Sequence, residues 1–129
     1  MSELTEFVRT RQIPGEPRRR WFHSDDLDLI VWCADSGSPT GFQLCYDKTR
    51  REQALTWTVR HGYEHAAVDD GESRAFGHKA TPLLVGGTPF DAARVTRIFA
   101  GACARLPRDI AEFVKGKLEA YPPRTRRAG

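Results

Sequence analysis

The chain has 129 residues, 40% hydrophobic and 29% charged, with 20 basic against 17 acidic side chains and a formal net charge of +3. That length suits one domain whose core needs no disulfide or metal staple. No apolar run approaches the roughly 20 residues that cross a bilayer, and the near-balanced charge leaves a weak overall field despite an isoelectric point near 9.0.

The opening Met-Ser-Glu-Leu-Thr-Glu lacks the basic and apolar regions of a signal peptide, so a cytoplasmic location is expected. Ser2 is placed to cap a short helix through about Val8, with Leu4, Phe7 and Val8 as its apolar side. Pro14, Gly15 and Pro17 break the chain. They separate an N-terminal helix and linker, residues 1–17, from a single α+β domain at 18–121. From Arg18, the run Arg-Arg-Arg-Trp-Phe-His-Ser reads as an added edge strand. It sets Phe22 beside the core, and its arginines discourage edge-to-edge pairing.

Residues 27–68 read as one antiparallel meander. The runs 27–34, 41–47 and 54–60 alternate with period two and are rich in β-branched and aromatic residues. Turn formers at 35–40 and a charged loop at 48–53 join them, and His61 with Gly62 offers a two-residue hairpin into a fourth strand at 63–68. Setting Val31 opposite Leu44, Leu44 opposite Trp57 and Trp57 opposite Ala66 gathers a core face. It comprises Leu29, Val31, Cys33, Phe42, Leu44, Tyr46, Leu55, Trp57, Val59, Ala66 and Val68, with Glu64 as its intruder.

The second face then carries Ile30, Arg60 and Ala67 together with Trp32, Gln43, Cys45, Thr56, Thr58, Tyr63 and His65. These last seven mix aromatic, amide, thiol, hydroxyl and imidazole groups, as a surface that meets a ligand or partner does. The plainer reading is that a terminal segment or a second subunit covers it.

Residues 69–79 are charge and punctuation, at a length typical of lids and mobile connectors. Asp69, Asp70 and Glu72 with His78 and Lys79 could bind a divalent cation or perform acid–base work. The calcium-loop pattern is incomplete, however, and the plainer reading of Asp-Asp-Gly-Glu is a solvated turn. A further strand follows at 81–85, its place in the sheet open. Thr88 as N-cap, Pro89 at the first helical position and Asp91 open a helix with Val95, Ile98, Phe99, Ala102 and Leu106 along one stripe. A second helix starts at Pro107, with Ile110, Phe113, Val114, Leu118 and Tyr121 as its stripe. Pro122 and Pro123 stop it, and 122–129 is expected to be a disordered basic tail. Strands followed by two helices predict an α+β fold: an antiparallel sheet of four to six strands with both helices on one face.

No catalytic constellation emerges. His61 and His65 would lie about 13 Å apart along a strand, and Cys45 would lie two strands from His65, too far for an activating base. Cys33, Cys45 and Cys103 have no metal-ligand spacing. No metal or cofactor is expected, since no phosphate-cradling loop, serine elbow or zinc signature occurs. The leading expectation is a binding or assembly protein that uses the non-helix face. Self-association as a homo-oligomer is its simplest form, and a small-molecule or protein ligand its variant. Competing with it is a small enzyme or metal-dependent binder built from 69–79 and the nearby histidines. A third class is a weak nucleic-acid binder through the arginines at 18–20, 50–51 and 124–127, which the balanced charge disfavours.

The combination of Trp21-Phe22, Asp-Leu-Ile-Val-Trp at 28–32, Gly-Phe-Gln-Leu-Cys-Tyr-Asp-Lys at 41–48 and Ala-Leu-Thr-Trp at 54–57 resembles a family of small uncharacterised bacterial proteins over residues 18–121. The resemblance implies a bacterial, cytoplasmic protein. That family carries no assigned activity, so no functional residue is transferred from it.

Overall fold

The computed structural model describes residues 3–7, 12–48, 51–69, 83–85 and 90–121. Seven strands lie side by side in sequence order: β1 (Thr5–Glu6), β2 (Arg18–His23), β3 (Asp28–Cys33), β4 (Pro39–Tyr46), β5 (Gln53–Thr58), β6 (Gly62–Asp69) and β7 (Leu83–Val85). Every neighbouring pair is antiparallel, so the sheet is a pure meander, curved as a half-barrel. Helices α1 (Ala92–Ala100) and α2 (Arg108–Glu119) follow. This is the expected α+β architecture, with β7 joined to the main sheet and one strand more than foreseen.

The extra strand replaces the expected N-terminal helix at residues 5–6. The outer edge of β2 presents backbone groups that need partners. Thr5 and Glu6 pair with His23 and Phe22, and the Phe7 N–H donates to the Trp21 carbonyl at 2.8 Å. Further along, the Gln12 amide imitates a strand: its Nε2 donates to the Arg19 carbonyl and its Oε1 accepts from the Arg19 N–H, both at 2.8 Å. Leu4 and Phe7 therefore part company. Leu4 enters the core, with its N–H donating to the Ala102 carbonyl, whereas Phe7 remains exposed against Trp21 and His23. The proposed Ser2 cap and the tail at 122–129 lie outside the described residues.

The registers bear out the core face for three strands. Leu29 faces Leu44 and Val31 faces Phe42; Phe42 then faces Trp57 and Leu44 faces Leu55. Both pairings are displaced by two residues from the expected ones, which leaves the strand side chains on their expected faces, whereas Val59, expected in the core, lies beyond β5 and is 73% exposed. β6 departs. Thr58 pairs with Gly62, so the hairpin loop is the three residues Val59, Arg60 and His61, with Gly62 at φ +72°. The displacement is three residues, an odd number, and it exchanges the two faces of β6. Tyr63 stands opposite Trp57 and His65 opposite Leu55, on the helix side; Glu64 stands opposite Thr56 on the other side, exposed to water.

The helices close that core. Val95 and Phe99 on α1, and Ile110, Val114 and Leu118 on α2, recur at helical spacing and are all buried. They pack with Phe22, Leu29, Val31, Phe42, Leu44 and Leu55. Phe113 adds edge-on contacts to Phe42 and Trp57 at 6.1 and 5.7 Å. The first helix starts later than expected. Its N-cap is Asp91, whose Oδ1 accepts from the Arg94 N–H at 3.1 Å, while Thr88 and Pro89 lie outside the described residues. It also ends at Ala100, so Ala102 and Leu106 are buried from the connecting turn. Among the described residues, no helix is long and apolar enough to cross a membrane.

Candidate functional site

The non-helix face is organised in lateral rows set by strand pairing. One row runs Trp21, Ile30, Gln43, Thr56, Glu64; the next runs Arg19, Trp32, Gly41, Thr58, Gly62. A third runs His23, Asp28, Cys45, Ala54, Ala66. Of the seven residues expected on this face, Trp32, Gln43, Cys45, Thr56 and Thr58 are there. Tyr63 and His65 are not, because the three-residue loop turns them inward.

Burial divides what is left. Ile30, Gln43, Cys45, Ala54 and Ala66 are each 5% exposed or less, so the middle of the face is sealed. Gln43 donates from Nε2 to the Thr56 hydroxyl at 3.0 Å, and its Oε1 meets no donor among the described residues. The neighbour of Cys45 on β3 is Asp28, itself 3.3 Å from the Lys48 ammonium. Around that centre Trp32, Thr56 and Thr58 are half-buried, and His23 and Glu64 are exposed. Gly41 lies between Trp32 and Thr58, and it has no room for a side chain: a Cβ there would stand 2.9 Å from the Trp57 carbonyl oxygen.

Inside, Tyr63 and His65 join an aromatic layer between the sheet and the helices. The Tyr46 hydroxyl and His65 Nε2 are 2.6 Å apart, and the two rings are stacked. Burial pushes the Tyr46 phenol well above its ordinary value, so its hydroxyl keeps its proton and pairs with His65 Nε2 as donor or acceptor according to the imidazole tautomer. Phe90 packs against Tyr46, His65 and Tyr121, and the Tyr63 hydroxyl donates to the Lys117 carbonyl at 2.6 Å. Arg94 reaches over the Tyr46 ring to pair with Asp47, a residue at φ +57°. A left-handed non-glycine residue is strained, and the ion pair to α1 helps hold it. With Tyr46 and His65 both buried, the layer ties β4, β6, α1 and α2 together.

Asp69 ends β6, whereas Asp70, Glu72, His78 and Lys79 lie outside the described residues. Among the described residues, no group of three or more His, Cys, Asp or Glu could hold a metal ion.

One feature escaped the sequence reading. A groove of about 850 Å³ runs along the outer edge of β2, between the turn at 13–16 and the turn at 34–37. Phe7, Gln12, Arg18, Arg19 and Arg20 are among its walls. The arginine run was visible in the sequence, but the pairing of Thr5, Glu6 and Gln12 with β2, which brings Phe7 to the same place, was not. Comparison with protein-family models, curated proteins and solved structures returns no match for this chain.

Proposed function

We propose that the protein is a binding and assembly module that self-associates through the exposed strip of its non-helix face, with Trp32 as anchor and Thr56 and Thr58 beside it. The observation that supports this reading is a half-buried tryptophan on a strand face, flanked by the side-chain-free position Gly41 and by hydroxyls that are also half-buried. Tryptophan is among the residues that most often carry interface energy, and small polar neighbours let a partner approach closely. The sealed centre narrows the interface to this strip. Cys45 and Gln43 support it from beneath rather than touching a partner.

The test is solution mass by light scattering on the wild type and on Trp32→Glu, with circular dichroism to verify folding. A wild-type dimer that becomes a folded monomer on substitution is the expected result. A wild-type monomer, or a dimer indifferent to Trp32→Glu, would overturn the assignment.

A further inference from the structure

We propose that the corner between Trp57 and Phe113 is a recognition site for a quaternary ammonium group, latched by the chain's own Lys117. The Lys117 ammonium lies 3.8 Å from the centroid of the Trp57 ring and 5.8 Å from that of Phe113. The two rings meet at 72° with centroids 5.7 Å apart, so they form two walls of one corner. Aromatic faces attract a cation, and indole does so most strongly. Trp57, Phe113 and Lys117 are all half-buried, which places the corner at the margin of the core rather than inside it. It lies on the helix side of the sheet and is independent of the Trp32 strip.

Both layers of the fold build this corner. Trp57 projects to the helix side from β5, and its cross-strand partner is Tyr63 on β6. Phe113, Lys117 and Tyr121 follow at intervals of four residues, so they share one stripe of α2 and its C-terminal end. An ammonium therefore stands in the middle of an aromatic stripe. The Tyr63 hydroxyl donates to the Lys117 carbonyl at 2.6 Å, and the Tyr63 and Tyr121 rings meet edge-on at 5.0 Å. These contacts fix the backbone of Lys117 and leave its side chain free to turn. Gly116 beside it adds no obstacle, since even a Cβ there would meet nothing within 4 Å.

The chemistry of the corner suits another cation better than lysine. A lysine ammonium is compact, strongly hydrated and carries three N–H donors. Among the described residues the Lys117 ammonium makes no hydrogen bond and no ion pair, so the rings displace water from one side of it and offer its donors no acceptor. A quaternary ammonium carries the same charge, has no N–H group to satisfy, and presents methyl groups that pack on ring faces. The advantage of Lys117 is its tether, which gives it a high effective concentration. It acts as a latch that a free quaternary ammonium displaces.

The experiment is calorimetric titration of the full chain with choline, with the uncharged isostere that has carbon in place of its nitrogen, and with a short peptide carrying trimethyl-lysine. Saturable binding of choline is expected, at least about fivefold tighter than the isostere, a comparison that needs no substitution. Lys117→Ala should tighten choline at least about threefold, whereas Lys117→Arg, which keeps a tethered cation, should not. Trp57→Leu and Phe113→Leu, verified as folded by circular dichroism, should each weaken it at least about threefold. Lys115→Ala, which removes an exposed charge nearby on α2, should leave binding unchanged. A peptide that binds tighter than choline would identify a methylated protein segment as the source of the ligand; binding no tighter would identify a free small molecule. No saturable binding of choline by the wild type at millimolar concentration would overturn the proposal, even with binding by Lys117→Ala, because Lys117 would then be a permanent structural contact. So would equal binding of the isostere, a Lys117→Ala protein that binds no tighter than wild type, or a loss with Lys115→Ala as large as with the ring variants.

Discussion

Adding one methyl group at Gly41 and at Gly116 should move stability in opposite directions. At Gly41, opposite Thr58 on β5, the new Cβ would stand 2.9 Å from the Trp57 carbonyl oxygen, 3.1 Å from Thr58 Cγ2 and 3.3 Å from Thr58 Cα. Two of those atoms are backbone of the paired strand, so relief requires opening the ladder. Overpacking of that kind costs about 1–3 kcal/mol, and the stiffer alanine returns roughly 0.5–1 kcal/mol. Gly41→Ala is therefore expected to destabilise by about 1–2 kcal/mol. At Gly116, on the exposed side of α2, a Cβ meets nothing within 4 Å. Helix propensity alone then operates, and Gly116→Ala should stabilise by about 0.8–1 kcal/mol. The two variants should differ by roughly 2–3 kcal/mol, a gap in melting temperature on the order of 10 °C for a chain of this size. Urea unfolding followed by circular dichroism, with slopes compared to verify two-state behaviour, measures both. A Gly41→Ala protein as stable as wild type would refute the pairing of Gly41 with Thr58. The Trp32–Gly41–Thr58 strip would go with it.

Two further perturbations probe the interior and the edge. Tyr46→Phe removes a buried hydroxyl and strips His65 Nε2 of that partner, so unfolding free energy should fall by about 1–3 kcal/mol; urea titration would contradict the Tyr46–His65 bond if the loss were under about 0.5 kcal/mol. Glu6 tests the sign of a pH effect: its hydrogen bond to Arg20 holds the carboxyl below its ordinary value, so the pair contributes fully above the unfolded-state value and is lost as pH falls through the lowered folded one. Both side chains are about one-third exposed, which limits the pair to about 0.5 kcal/mol at neutral pH. Melting curves of wild type and Glu6→Gln should therefore separate slightly at pH 7 and converge as the pH falls below about 4, and a gap that widened in acid would contradict the pairing.

Much of the fold was legible because period-two patterning decides faces strongly where one face is rich in large apolar residues. β3 and β4 carry Leu29, Val31, Phe42 and Leu44 inward, and an error of two residues in register costs nothing in face assignment. β6 is different. Its two alternatives, Tyr63, His65 and Ala67 or Glu64, Ala66 and Val68, are each partly apolar, so hydrophobicity does not choose between them. The clue lay in Glu64. The two-residue turn forced a carboxylate toward the core, whereas a loop of Val59, Arg60 and His61 closed by Gly62 at positive φ sends it to water. The N-terminal strand was hidden for another reason. Two residues are too short for any periodicity, and β1 exists because β2 had an open edge to satisfy.

The length of that hairpin loop also decides which chemistry each face can perform. With Tyr63 and His65 outside, the non-helix face would have carried an imidazole and a phenol two strands from its thiol, too far for one to activate the other. Turned inward, each spends its polar atom on the helix layer, Tyr63 on the Lys117 carbonyl and His65 on the Tyr46 hydroxyl. Cys45 is left beneath a sealed surface with Asp28 as its cross-strand neighbour, and the nearest imidazole in that row is His23, two strands away and stacked on Phe7. The same loop therefore strengthens the join between sheet and helices and takes Tyr63 and His65 off the outer face, where His23 still stands opposite Asp28. What the described part of that face retains includes a half-buried tryptophan with hydroxyls in neighbouring rows, the groups on which the proposed self-association rests.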